Sequence, residues 1–77
     1  MSNEELTAQI AEFAKSAYQY DGDVTAETTF EQLGKGSMKM IALVSMIENE
    51  LDAEVPVREV MTMKTVGELI ERTAEEL

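Results

Sequence analysis

The chain has 77 residues, of which 16 are acidic and 6 basic, so its formal net charge is −10. It contains no cysteine and no histidine, which excludes a disulfide framework, a thiolate nucleophile, cysteine-ligated metal sites and catalysis by an imidazole base. The acidity argues against direct contact with nucleic acid or anionic lipid, because both need clustered lysine and arginine. Partners with basic faces are expected instead.

A chain of this length supports one domain, which we place at residues 1–77, and such a domain buries only about 60% of its unfolded surface. Only two tyrosines and two phenylalanines are present, so aliphatic and methionine side chains must form the core. No apolar run approaches the roughly 20 residues of a membrane span, and the first residues lack the basic-then-apolar order of a secretion signal. We therefore expect a soluble, cytoplasmic helical bundle.

The first predicted helix begins at Ser2 and fades between Tyr18 and Gly22. Ser2 followed by Glu5 fits a capping box, in which each side chain bonds a free backbone N–H. The turn residues Asp21-Gly22-Asp23 follow the helix. Apolar residues spaced by four, three and four share one helical face: Leu6, Ile10, Phe13 and Ala17.

Residues 21–36 show no periodicity and predict a long ordered loop, which Phe30 and Leu33 hold against the core. Asp21-Gly22-Asp23 is similar to the start of a calcium loop, but Glu27 and Glu31 do not supply the further ligands at the required spacing. We interpret the triplet as a structural turn. A small calcium sensor is thus the least favoured class of function.

The second long helix is predicted over Ser37–Leu51, which includes the most apolar run of the chain, and Pro56 then opens a short helix through Val60. Residues spaced by three, one, three and four form its buried stripe: Met40, Leu43, Val44, Ile47 and Leu51. Three apolar residues lie off that stripe, more than one buried face requires: Met38, Ile41 and Met46.

The last helix is predicted to begin with a second capping box at Thr65-Val66-Gly67-Glu68. Its apolar side is formed by Val66, Leu69, Ile70, Thr73 and Leu77. The expected fold is therefore all-α, a four-helix bundle of three main helices and a short third helix, with the long loop between the first two. Most acids fall on predicted polar faces, so we predict no catalytic pair of carboxylates and no enzyme activity.

One serine lies between a glycine and the most apolar helix, in the run Leu33-Gly34-Lys35-Gly36-Ser37-Met38. In one interpretation, which these six residues favour, Ser37 is simply the N-cap of the helix. In the other, its hydroxyl is a modification site, because a helix N-terminus favours an attached phosphate. Lys35 or Lys39 would then screen the added charge.

The run from Phe30 to Met38, the acidic helix end Glu48-Asn49-Glu50-Leu51, Val55-Pro56 and Thr65-Val66 together resemble the acyl carrier proteins. The correspondence runs from Ser37 to Val66 without a gap and extends over most of the chain. The resemblance implies that Ser37 carries 4'-phosphopantetheine, derived from coenzyme A, through a phosphodiester. The thiol of that group would hold an acyl chain as a thioester, so the protein would need no cysteine thiol of its own.

The resemblance further implies a non-catalytic carrier that presents acyl intermediates to enzymes of fatty acid, lipid or polyketide biosynthesis. Its partners would be a phosphopantetheinyl transferase and acyl-handling enzymes with basic docking faces. We expect no nucleic-acid partner and no membrane insertion, and we expect the carrier to be a monomer. We expect the acyl chain to enter the seam beside the short helix, where ordinary core packing is the alternative role for each residue: Met40, Leu43, Ile47, Val60, Met61 and Met63. The expected docking face comprises Met38, Ile41, Met46 and Glu48.

Four positions differ from the family's pattern, one directly before the second long helix and three within it. The family's Asp before the serine is Gly36, a frequent acid two residues after the serine is Lys39, and Ala42 and Ser45 reduce the negative charge further. These differences predict a specialised carrier that serves a separate pathway. They also keep open an alternative, an unmodified acidic helical interaction module on the same scaffold.

Overall fold

The computed structural model describes residues 2–34 and 36–77. Within these ranges the chain forms five helices: α1 (Asn3–Tyr18), α2 (Phe30–Leu33), α3 (Ser37–Leu51), α4 (Val57–Val60) and α5 (Val66–Glu76). The longest of them, α1, packs against both α3 and α5, while α4 packs against α3. The expected all-α bundle is confirmed. No helix in the described ranges combines the length and the apolar character needed to cross a membrane.

Helix α1 begins and ends close to the predicted positions. The Ser2 hydroxyl accepts a hydrogen bond from the backbone N–H of Glu5 at 3.2 Å. The Glu5 carboxylate accepts from the Ser2 hydroxyl, whereas in a full capping box it would accept from the backbone N–H of Ser2. The helix ends where Gln19 takes a left-handed conformation, with φ of 52°. Its buried face differs from the predicted stripe, because Phe13 and Ala17 are only half-buried. The buried residues follow a strict spacing of four: Leu6, Ile10, Ala14 and Tyr18.

The predicted loop between α1 and α3 contains one additional element, the single-turn helix α2. Thr29 is its N-cap and forms a capping box with Gln32: the Thr29 hydroxyl accepts from the Gln32 N–H at 3.0 Å, and the Gln32 side chain accepts from the Thr29 N–H at 2.8 Å. Phe30 and Leu33 are buried, as predicted. A four-residue helix is too short to show the periodicity on which sequence reading depends.

The starts of α2 and α5 lie side by side. Thr29 and Thr65 form an isolated antiparallel bridge, in which the Phe30 N–H donates to the Lys64 carbonyl at 3.0 Å and the Val66 N–H donates to the Thr28 carbonyl at 2.9 Å. This bridge fixes the α4–α5 connection against α2. As a result, two segments far apart in sequence form one wall beside Ser37.

Helices α3 and α5 supply much of the remaining core. Their fully buried side chains include Leu43, Ile47, Val66 and Leu69. The second predicted capping box is confirmed, because Thr65 accepts from the Glu68 N–H and the Glu68 carboxylate accepts from the Thr65 N–H. The prediction that Leu77 shares the buried side of α5 is wrong: α5 ends at Glu76, and Leu77 beyond it is exposed.

Candidate functional site

Ser37 is the first residue of α3, and its side chain is exposed. The N-cap is Gly36, whose backbone is extended (φ −177°, ψ 117°), so α3 begins without a side-chain cap in the described part of the chain. The interpretation of Ser37 as the N-cap is therefore wrong. Because Ser37 already belongs to the helix, its hydroxyl does not take the capping position and is available at the surface.

The start of α3 is electrostatically suited to an anion. The first N–H groups of a helix have no intrahelical acceptor and carry a partial positive charge, and the first turn of α3 contains no acidic residue. The side-chain carbons of Lys39 extend back toward Gly36, where they would lie 3.7 to 3.8 Å from an added Cβ atom. The predicted role of Lys35 concerns a residue outside the described ranges.

A partly open cavity of about 660 Å³ lies beside Ser37, a volume within the range of small-molecule sites, about 300–1,000 Å³. Four elements enclose it, and its lining residues are Tyr18, Thr29, Phe30, Glu31, Gly36, Ser37, Met40, Met61, Thr62, Met63 and Lys64. The bridge between Thr29 and Thr65 brings the last four of these residues to the same wall as α2. The cavity therefore begins at the exposed serine and extends toward the end of α1.

Tyr18, the last residue of α1, is one of the residues that line this cavity. The residue is only 3% exposed, and its hydroxyl is buried with no hydrogen-bond partner among the described residues. Its ring lies 6.4 Å from that of Phe30, at a tilt of 42°. Burial raises the pKa of the Tyr18 phenol above its ordinary value of 10.0.

The six residues predicted for an acyl seam separate into two groups. Met40, Met61 and Met63 line the cavity beside Ser37, and Met61 is 60% exposed. The other three are fully buried in the core and do not line this cavity: Leu43, Ile47 and Val60. The cavity also involves α1 and α2, which the predicted seam between the second long helix and the short helix did not include.

The four residues predicted for docking all belong to α3. Met38 is 82% exposed and Ile41 is 49% exposed. Glu48 is exposed near the end of the helix, whereas Met46 is only half-exposed. An apolar surface next to Ser37 is thus present, and Met46 contributes less to it than the sequence suggested.

Tyr18 and Lys64 are among the cavity-lining residues that were not identified from the sequence. Tyr18 was placed where the first helix fades, although its spacing of four from Ala14 continues the buried face of that helix. Lys64 reaches the cavity only through the pairing of α2 with the start of α5.

In residues 2–34 and 36–77, no three acidic side chains form a group that could hold a metal ion.

Comparison with known proteins agrees with this arrangement. Residues 5–73 match the family described as "Phosphopantetheine attachment site". The chain is 34% identical over 56 residues to an acyl carrier protein of Clostridium perfringens, which covers 71% of this chain and 74% of the relative. It is 40% identical over 48 residues to an acyl carrier protein of Lactococcus lactis, which covers 62% of this chain and 63% of that relative.

A solved structure is similar over nearly the whole chain. The crystal structure of an acyl carrier protein from Thermotoga maritima superposes with a TM-score of 0.78 at 28% sequence identity, covering 99% of this chain and 91% of the other. The fold and the matched attachment domain define a small helical carrier with a covalently attached prosthetic group. The chain belongs to the acyl carrier protein family. Members of this family are non-catalytic, and their prosthetic group is 4'-phosphopantetheine.

Proposed function

We propose that this protein carries acyl intermediates as thioesters on a 4'-phosphopantetheine arm attached to Ser37. The observation that carries the proposal is the position of Ser37, exposed in the first turn of α3 and at the edge of the cavity. The bound group would supply the thiol that the chain lacks. The protein's own residues then have three tasks, which are to hold the phosphate, to shelter the arm or its cargo, and to contact partner enzymes.

The residues around Ser37 fit the prosthetic group. A phosphodiester on the Ser37 oxygen would lie at the N-terminus of a helix of 15 residues with no acid in its first turn, where negative charge is stabilised. The side chain of Lys39 extends toward Gly36 and brings a positive charge to the first turn of α3.

The methionines of the cavity suit a changing occupant. Met40, Met61 and Met63 lie at its surface, and their unbranched side chains adjust to different shapes with little strain. Each methylene group that leaves water contributes about 0.8 kcal/mol. We therefore assign sheltering of cargo to these three residues, while the other predicted seam residues, Leu43, Ile47 and Val60, form the core that supports them.

The exposed apolar surface of α3 fits a transient contact with partner enzymes. Met38 and Ile41 would provide its centre, with Met46 at its side and Glu48 at its acidic edge. A net charge of −10 steers association with basic partner surfaces and makes it sensitive to salt. Phosphopantetheinyl transferases and acyl-handling enzymes are the expected partners. Gly36 and Lys39 differ from the family's pattern, and these differences support a carrier specialised for a separate pathway.

Intact mass spectrometry tests the attachment site. After incubation with coenzyme A and a phosphopantetheinyl transferase of broad specificity, the protein should gain the mass of one phosphopantetheine. Ser37→Ala should abolish the gain, whereas Ser45→Ala, which changes an exposed serine of the same helix, should preserve it. A gain that persists in Ser37→Ala would reject Ser37 as the site. No gain with several transferases would favour the unmodified interaction module.

A further inference from the structure

Methionine is the only sulfur-containing residue type of the chain, and its thioethers differ widely in exposure. The sequence has six methionines and no cysteine. Met38 is 82% exposed and Met61 is 60% exposed, whereas Met40, Met46 and Met63 are half-buried. A thioether that is open to solvent reacts with peroxides more readily than one sheltered by packing. Among the described residues, Met38 is therefore the most accessible target for a dissolved oxidant.

Met38 lies on the part of α3 that an enzyme must cover in order to reach Ser37. It follows Ser37 directly, and Ile41 lies three residues after Met38 and four after Ser37, so Ile41 is a neighbour of both on the helix surface. All three residues are exposed. Met38 is also the most exposed large apolar side chain in the described ranges. An enzyme bound at Ser37 therefore contacts the Met38 side chain.

Oxidation of Met38 changes an apolar contact into a polar one. A lone pair of the thioether sulfur attacks one oxygen of hydrogen peroxide, the O–O bond breaks, and the proton of the transferred oxygen passes to the departing oxygen, which leaves as water. The thioether is oxidised to a sulfoxide and the peroxide is reduced. The sulfoxide is polar and disrupts methionine-containing interfaces, because its oxygen loses water on docking and finds no hydrogen-bond donor in an apolar contact.

We propose that Met38 is a redox-controlled modification site, at which oxidation to the sulfoxide by a peroxide weakens the docking of partner enzymes beside Ser37. Such control rests on the attachment proposed at Ser37. The modification is reversible, because methionine sulfoxide reductases restore the thioether; a dithiol is oxidised to a disulfide in that step, and the sulfoxide oxygen leaves as water. Ile41, the other apolar residue of this surface, has no sulfur and does not respond to peroxide.

The protein without its prosthetic group tests the proposal, because it has no thiol that would consume the oxidant. Peptide mapping by mass spectrometry during treatment with hydrogen peroxide should show Met38 oxidised ahead of Met40, Met46 and Met63. Once Met38 is fully converted, a transferase of broad specificity should attach phosphopantetheine about tenfold more slowly, since an unpaired polar oxygen weakens an apolar contact. Sulfoxide reductases for both epimers, supplied with dithiothreitol, should restore the rate.

Met38→Leu and Met61→Leu identify the methionine responsible, and each variant is compared with its own untreated sample. Peroxide should not change the rate of Met38→Leu, because leucine keeps an apolar side chain that peroxide does not attack. Met61→Leu is the matched control, since Met61 is the other strongly exposed methionine of the described ranges, and it should be slowed as the wild type is. Met38→Gln, whose amide is polar like the sulfoxide, should be slow without any oxidant.

An unchanged rate in wild-type protein whose Met38 is fully oxidised would overturn the proposal. An equal loss in treated Met38→Leu would also overturn it, because the effect would then come from another methionine or from unfolding, which circular dichroism detects. So would a normal rate in Met38→Gln, which is measured on a chain never exposed to peroxide. Failure to modify the untreated wild type contradicts the proposed function, whereas normal modification of the oxidised wild type contradicts only the control by Met38.

Discussion

At the scale of single residues, Gly36 combines a structural role with a departure from the family's pattern. It is the N-cap of α3, its backbone is extended (φ −177°, ψ 117°), and it provides no side-chain cap. An added Cβ would meet only the Lys39 side chain, at 3.7 Å or more. The position therefore accepts an aspartate, the residue that precedes the serine in the acyl carrier pattern.

We predict that Gly36→Asp and Gly36→Asn both stabilise the protein by a few tenths of a kcal/mol, because each side chain can accept from a free N–H at the start of α3. Urea unfolding measures this gain. Only Gly36→Asp should accelerate modification by a transferase that recognises the family's Asp-Ser pair. Equal rates for the two variants would show that capping, and not the charge, controls recognition.

Glu68 shows how one capping carboxylate makes stability depend on pH. It accepts from the backbone N–H groups of Thr65 and Lys64, and these bonds hold its pKa below the ordinary value of 4.5. A carboxylate with a lowered pKa in the folded state stabilises that state above the unfolded pKa. The contribution disappears as the pH falls through the lower, folded value.

We therefore predict that the wild type loses stability as the pH falls below 4.5, and that Glu68→Gln loses less over the same interval. Glu71→Gln, which changes an exposed acid on the same helix, should follow the wild type. Urea unfolding at a series of acidic pH values measures the three curves. Identical pH dependence in the wild type and in Glu68→Gln would contradict this role for Glu68.

At the scale of elements, α3 has two faces with different tasks. Ile47 is fully buried, whereas Ile41, on the same helix, is 49% exposed. The first face holds the bundle together, and we assign the second to partner enzymes. Two isoleucines on one helix allow the tasks to be separated with a single type of substitution.

We predict that Ile47→Ala lowers the free energy of unfolding by about 2–5 kcal/mol, the usual cost of such a truncation in a core. Ile41→Ala should change it by less than about 0.5 kcal/mol but slow acyl transfer to a partner enzyme. Met38→Ala and Glu48→Lys should act like Ile41→Ala, with unchanged circular dichroism. Normal transfer rates in all three surface variants would reject this face of α3 as the docking surface.

The long helices could be predicted from their periodicity, whereas the four-residue helix α4 was predicted from the proline that precedes it. The periodicity of Ser37–Leu51 predicted the bounds of α3, because four turns of helix contain enough apolar residues to define a face. The capping box at Thr65 and Glu68 gave the start of α5. The single turn α2 was not predicted, although Thr29 and Gln32 form the same type of box, because a single turn shows no periodicity and no proline precedes it.

The cavity was less predictable than the helices for a related reason. Local spacing placed Met40 on an inward face, but the positions of Tyr18 and Lys64 beside Ser37 depend on contacts between segments distant in sequence. Periodicity reports which side of a helix is buried and does not report which helix lies opposite. For that reason the sequence led to a seam between two helices where the structure has a cavity enclosed by four segments.

At the scale of the whole molecule, the chain lacks reactive groups of its own and is organised around one exposed serine. It has no cysteine or histidine and a net charge of −10, while the start of α3 is free of acids in its first turn. The charge favours encounters with basic partners, and the helix start favours a bound phosphate. Together these features suit a carrier whose reactive thiol is supplied by its prosthetic group.

The most direct test of that account is to measure the mass of the protein after an acyl-coenzyme A and a transferase of broad specificity have been added, before and after treatment with hydroxylamine. We predict a gain of one acyl-phosphopantetheine at Ser37, from which hydroxylamine removes the acyl mass and leaves the phosphopantetheine, because only a thioester is cleaved so readily. Absence of the gain, or an acyl mass that resists hydroxylamine, would contradict a carrier of thioesters.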